Sequence, residues 1–141
     1  MTLARTAQKL VTRGHTAIYR LTRGRIGQRL GPVENVLLTT TGRKTGQART
    51  TPLTTLPDGD RLILIASDGG AANHPAWYLN LSADPEVTVQ RGAGTRKYRA
   101  RTADPQERAA LWPRVVAMYA GYARYQERTE REIPVVICEP V

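Results

Sequence analysis

Five side chains between positions 41 and 49 have the chemistry to hold an anion. Thr41 and Thr45 carry hydroxyls, Arg43 and Lys44 are adjacent cations, and Arg49 adds a guanidinium fork that matches phosphate or carboxylate. Gly42 and Gly46 flank the cations and free the backbone to turn its N–H groups toward a ligand. The segment is not a Walker A loop, which needs G-x-x-x-x-G-K-[ST] between a strand and a helix; here extended sequence resumes at Ala48. Taken alone, these residues are equally well read as a solvated hairpin turn.

A second group falls between 67 and 81. Ser67 precedes the pair Gly69-Gly70, which allows a ligand to approach the backbone. Trp77 and Leu81 are four residues apart on a short helix and share a face. They read as core, or as a wall for a planar ligand to which Asn80 or Tyr78 gives a polar contact. His74 reads as a cap or surface residue rather than a base. The third group is Tyr119, Tyr122 and Tyr125, spaced every three residues on the last helix. Such a wall is apolar in body and polar at its tip. As a core stripe it would have three hydroxyls to satisfy, so a pocket wall is the more economical reading. There is no nucleophile triad, paired-carboxylate site or CxxC centre. Cys138 is the sole cysteine, which excludes an internal disulfide, and with only His15 and His74 beside it a His/Cys metal site is not expected. The chemistry has to come from a bound cofactor.

The elements that must position these groups are short. Residues 2–23 have helical periodicity in Leu3, Ala7, Leu10, Val11, Ile18 and Leu21. Arg5, Lys9, Arg13, Arg20, Arg23, Arg25 and Arg29 populate the other faces or follow them, and no acid precedes Glu34. Strands are expected at 35–41, 48–56, 61–67, 86–91, 95–102 and 133–138, with turns at 57–60 and 92–94. A short helix is expected at 74–82, with Pro75 in its first turn. Asp104 is the N-cap of a long helix running to about 128, with Pro105 first and Glu107 completing a capping box; Pro113 is a site for a kink. Tight connections make the pairing antiparallel. The fold class is α+β, a six-stranded antiparallel barrel with flanking helices.

The chain has 141 residues, enough for one domain, and carries 21 basic against 12 acidic side chains, a formal net charge of +9. That surface attracts polyanions: nucleic acid, anionic lipid, or a phosphorylated or carboxylated small molecule. Basic residues are not interleaved with aromatics, and no helix-turn-helix is evident, so specific nucleic-acid binding is not expected. No apolar run nears the ~20 residues of a spanning helix, and no secretory signal is visible, so a cytoplasmic protein is expected. The basic N-terminal helix reads as packed on its own barrel or as lying on anionic lipid.

The stretches LLTTTGRKTGQAR, PLTTLPDGDRLILIASDGGA, HPAWYLNLSADPEVTV and IPVVICEP occur in an order that resembles the deazaflavin-dependent nitroreductase family, over residues 34–140. The resemblance implies a split β-barrel, related to flavin-mononucleotide-binding barrels, over 34–141, preceded by a basic extension over 1–33. It implies coenzyme F-420, an 8-hydroxy-5-deazaflavin with a phosphodiester and a polyglutamate tail. Positions matching Arg43, Lys44 and Thr45 hold the phosphate, and Arg49 assists. Pro52, Ser67, Gly69, Gly70, Trp77 and Asn80 complete the coenzyme site. Tyr119, Tyr122 and Tyr125, with Thr54 and Trp77, border the substrate cavity. The implied reaction is hydride transfer from C5 of the reduced coenzyme to a quinone such as menaquinone, or to a nitroaromatic or nitroimidazole compound. Tyr122 is the first choice of proton donor and Ser67 the second. A membrane quinone would give residues 1–31 a role at the inner face of the cell membrane, and split barrels often dimerise. Asp68 stands where relatives carry a basic residue, and Thr54 where nitroimidazole-reducing members carry an aromatic. The alternatives are a relative that uses flavin mononucleotide, and a non-catalytic basic protein that binds coenzyme or nucleic acid.

Overall fold

Apolar runs separated by turns at 42–47, 59–60 and 92–93 pair into one antiparallel sheet. The computed structural model describes residues 29–30 and 33–141. Its strands are β1 (Arg29–Leu30), β2 (Val33–Thr41), β3 (Ala48–Asp58), β4 (Arg61–Ile65), β5 (Glu86–Arg91), β6 (Gly94–Thr102) and β7 (Val135–Pro140). They are ordered β1-β2-β3-β4-β7-β6-β5, and β5 pairs back to β2 through Leu37↔Gln90, Leu38↔Val89 and Thr39↔Thr88. Strands β2 to β7 therefore close a six-stranded barrel, as expected from the sequence. The two-residue β1 runs beside the start of β2. The expected helix over 2–23 lies outside the described residues, as does the rest of 1–31 apart from β1. Among the described residues no helix is long and apolar enough to cross a membrane.

Strand alternation builds two cores. Val36 and Leu38 of β2, Leu62 and Leu64 of β4, Val87 and Val89 of β5 and Val136 of β7 fill the barrel. Ile63, Ile65, Val135 and Ile137 point the other way and are covered by helices. Strands β4 and β7 are thus buried on both faces, which is why RLILI and VVIC read as continuous apolar runs. Cutting one of these fully buried leucines to alanine removes roughly 2–5 kcal/mol.

Among the described residues three α-helices attach to the barrel: α1 (Ala76–Ala83), α2 (Pro105–Met118) and α3 (Gly121–Glu127). In α1, Leu81 is buried and Trp77 and Tyr78 pack against the barrel core; Pro75 takes the N-cap rather than the first turn. The capping box of α2 is present: Glu107 N–H donates to Asp104 Oδ1 at 2.8 Å, and Asp104 N–H donates to Glu107 Oε1 at 3.0 Å.

The single long helix expected to run to 128 is instead two. The chain passes through Pro113 inside α2 and breaks at Tyr119, whose φ of −150° and ψ of 106° are extended. Tyr119 folds its ring over Gly121, so closely that a Cβ at Gly121 would lie 2.3 Å from the ring. The glycine makes room for this fold-back, which turns α3 across the outside of the barrel. Strand β4 ends two residues earlier than expected: Ala66 N–H still donates to the Pro134 carbonyl at 3.0 Å, in register with the β4–β7 ladder, but Pro134 has no N–H to return the bond.

Candidate functional site

The turn between β2 and β3 is held from inside. Gly42 N–H donates to the Gln47 carbonyl and Gly46 N–H to the Gly42 carbonyl, each at 2.8 Å. Gly46 has φ +73°, a left-handed conformation suited to glycine. Thr45 Oγ1 accepts from Gln47 N–H at 3.2 Å. From α1, buried Asn80 reaches the turn: its Oδ1 accepts from Arg43 N–H at 3.1 Å, and its Nδ2 donates to Thr40 Oγ1 at 3.2 Å. Asn80 therefore fixes the backbone that carries the cations. Arg43, Lys44 and Arg49 are exposed, and none pairs with a carboxylate among the described residues. The first 33 residues contain no acid that could do so.

These cations form one end of an open cleft of about 1230 Å³. Thr45, Pro52, Thr54, Ser67, Gly69, Trp77, Asn80 and Tyr122 also line it, together with Arg43, Lys44 and Arg49. Eleven of the fourteen site residues that the resemblance implies thus surround one space. Three do not line it. Gly70 is buried with φ +82° against α3, where a Cβ would lie 2.6 Å from the Tyr125 carbonyl oxygen. Its close approach is to a helix of its own chain. Tyr119 and Tyr125 stand beside Tyr122. The three rings lie 5.2 to 6.2 Å apart, and the Tyr119 and Tyr125 hydroxyls are hydrogen-bonded at 3.3 Å.

The wall bearing Ser67 is a loop with a short 3-10 turn at Asp68–Gly70. Asp68 is exposed in the cleft lining with φ +45°. Arg131, which no sequence signal marked, pins this loop. Its Nε donates to the Ala71 carbonyl at 2.8 Å, its Nη1 to the Ala66 carbonyl at 3.1 Å and its Nη2 to the Ser67 carbonyl at 2.8 Å. Nη1 also lies 3.1 Å from His74 Nδ1. Burial, and secondarily the Arg131 charge, hold the His74 pKa below its ordinary value. The ring is therefore neutral and accepts from Arg131 through Nδ1, which suits anchoring better than proton abstraction.

At the other end of the cleft, Tyr122 is 7% exposed. Burial pushes its phenol up to about 12, offset in part by a hydrogen bond with Thr54. Thr54 also donates to Asn35 Oδ1 at 3.2 Å. Asn35 lines the same cleft and was read from sequence only as the start of a strand. Along the hairpin, Asn35↔Thr54 lies five positions from Thr40↔Arg49, roughly 17 Å at strand rise.

One end of the cleft thus offers unpaired cations and hydroxyls, and the other a neutral, largely apolar wall of tyrosine, Pro52, Leu53 and Ile65. That donor set fits an elongated ligand with a phosphorylated, anionic tail and a planar head, as coenzyme F-420 has.

The sequence profile of a family described as F420H(2)-dependent quinone reductase matches residues 11–140. An F420H(2)-dependent quinone reductase of Mycobacterium tuberculosis is 46% identical over 127 residues, covering 87% of this chain and 85% of the relative. Among solved structures, one described as an F420-H2 dependent reductase aligns with a TM-score of 0.69 and 42% identity, over 74% of this chain and 93% of that one. Another, a domain-swapped dimer, aligns with a TM-score of 0.72 and 37% identity, over 88% of this chain and 94% of that one. With a profile match over nearly its whole length and a relative of this identity, the chain belongs to the F420H(2)-dependent quinone reductase family.

Proposed function

We propose that this protein reduces quinones with reduced coenzyme F-420 as the hydride donor. The observation that carries this reading is the polarity of the cleft: three cations without acidic partners at one end, and a wall bearing a buried, protonated tyrosine at the other. Arg43, Lys44, Thr45 and Arg49 hold the phosphate, with Asn80 fixing the turn that presents them. Ser67, Gly69, Trp77 and Pro52 border the ring. When bound, the reduced deazaflavin supplies a hydride from C5.

The rest of the work belongs to the chain. Trp77 and Tyr122 flatten the acceptor against the ring face, and the cluster of Tyr119, Tyr122 and Tyr125 keeps water from that side. Tyr122 stays a neutral phenol throughout the physiological range, so it serves as a hydrogen-bond donor and holds its proton until the acceptor oxygen becomes strongly basic. Ser67, which also lines the cleft, carries the second hydroxyl able to give a proton. With a small Thr54 at the acceptor end, the cavity suits a quinone better than a compact nitroimidazole. The acid-free residues 1–33 bring the cleft to anionic lipid, where menaquinone resides, and the domain-swapped neighbour supports a dimer.

Titration of the protein with oxidised coenzyme F-420 beside flavin mononucleotide, followed by fluorescence, tests the assignment. Selective coenzyme binding that Arg43→Ala/Lys44→Ala weakens by about 100-fold is expected from two charge-assisted contacts. Preference for flavin mononucleotide would keep the barrel and remove the proposed hydride donor.

A further inference from the structure

We infer that Asn35 is the hydrogen-bond donor that seats the carbonyl oxygen of the acceptor. Asn35 is 8% exposed, and its Nδ2 has no hydrogen-bond partner among the described residues. A buried amide donor left unpaired costs roughly 1–3 kcal/mol, so such groups mark places where something else binds. This one lines the cleft. Its orientation is set by its cross-strand partner, since Thr54 donates to Oδ1 and leaves the amide nitrogen as the group without a partner. Within the pair Asn35 and Thr54, the threonine proton is committed to Oδ1, so Asn35 Nδ2 is the donor left to spare.

The surroundings choose the ligand atom. A neutral amide among Pro52, Leu53 and Ile65 offers no compensation for a phosphate or carboxylate, and such groups have the cation turn roughly 17 Å away. A neutral oxygen on an apolar ring fits: a quinone carbonyl. The bond would strengthen as negative charge develops on that oxygen during reduction. This inference rests on the quinone reading above.

The test uses the protein saturated with oxidised coenzyme F-420, so that no turnover occurs, and compares menadione with 2-methylnaphthalene, the hydrocarbon of the same skeleton. In Asn35→Leu the preference for menadione over the hydrocarbon should fall about tenfold, with coenzyme affinity changed less than twofold. In the wild type, the Asn35 side-chain amide resonances should shift with menadione and not with 2-methylnaphthalene, a readout that does not depend on the variant folding. An unchanged preference, or amide signals that ignore the carbonyl, overturns the role of Asn35. If menadione is still reduced by the wild type in a separate turnover assay, the quinone reading survives that result. If the wild type neither binds nor reduces menadione, both fall.

Discussion

Arg131 and Ser67 are joined across 64 residues of sequence by a hydrogen bond of 2.8 Å from the guanidinium to the backbone carbonyl oxygen. The same side chain holds the carbonyls of Ala66 and Ala71 and the ring of His74. One residue just before β7 thus sets the shape of the cleft wall that bears Ser67. Arg131→Ala should lower stability by about 2 kcal/mol and raise deuterium uptake across 67–74, because it strands partly buried carbonyls. Arg131→Lys should restore little of this, since an ammonium cannot span the fork. Unchanged uptake in the loop would contradict the anchoring role.

His74 gives the same contact a pH dependence. Its folded pKa is depressed, chiefly by burial, below the ordinary 6.5, so the folded protein resists protonating it while the unfolded chain does not. Stability from this group is fully present above pH 6.5 and is lost as pH falls from there through the lower folded value. His74→Gln should therefore flatten the decline of unfolding free energy below pH 6.5, measured by urea titration of both proteins.

Two adjacent glycines should respond differently to alanine. Gly69 has φ +64° with nothing within 4 Å of the added Cβ, so Gly69→Ala should cost only conformational strain, about 1 kcal/mol. Gly70→Ala adds a clash with the Tyr125 backbone at 2.6 Å and should cost about 3 kcal/mol or more. Equal losses in denaturant unfolding would show that α3 does not pack on this turn as described.

Much of this was legible because its causes are local. The glycine-flanked turn at 42–47, the capping box of Asp104 and Glu107, and the two-sided apolar run of β4 each arise from neighbouring residues. The remainder was illegible because its causes are tertiary. The break at Tyr119 comes from a ring laid over Gly121, in a segment with good helix formers on both sides. Arg131 acts on carbonyls about 60 residues away, and nothing in its own neighbourhood announces that. Asn35 looks like an ordinary strand residue until Thr54 is found opposite it. Gly70 and the pair Tyr119 and Tyr125 were singled out for the right region, but packing turns them away from the cleft lining.

Removing the Tyr122 hydroxyl isolates its part in turnover. Tyr122→Phe retains the ring that packs beside Ile63 and Val115 and loses one hydrogen bond to Thr54, so stability should change by about 1 kcal/mol at most. Turnover of quinone should drop about tenfold with coenzyme affinity unchanged. A variant with full turnover would move the proton-donor role to Ser67.

The most direct test of the proposed reaction is the oxidation of reduced coenzyme F-420 on adding menadione, followed by stopped-flow absorbance for the wild type and for Arg43→Ala/Lys44→Ala. The expected result is rapid reoxidation by the wild type and a rise in coenzyme KM of about 100-fold in the double variant. Reduced coenzyme that binds but is not oxidised by menadione, or equal rates with and without the two cations, would contradict it.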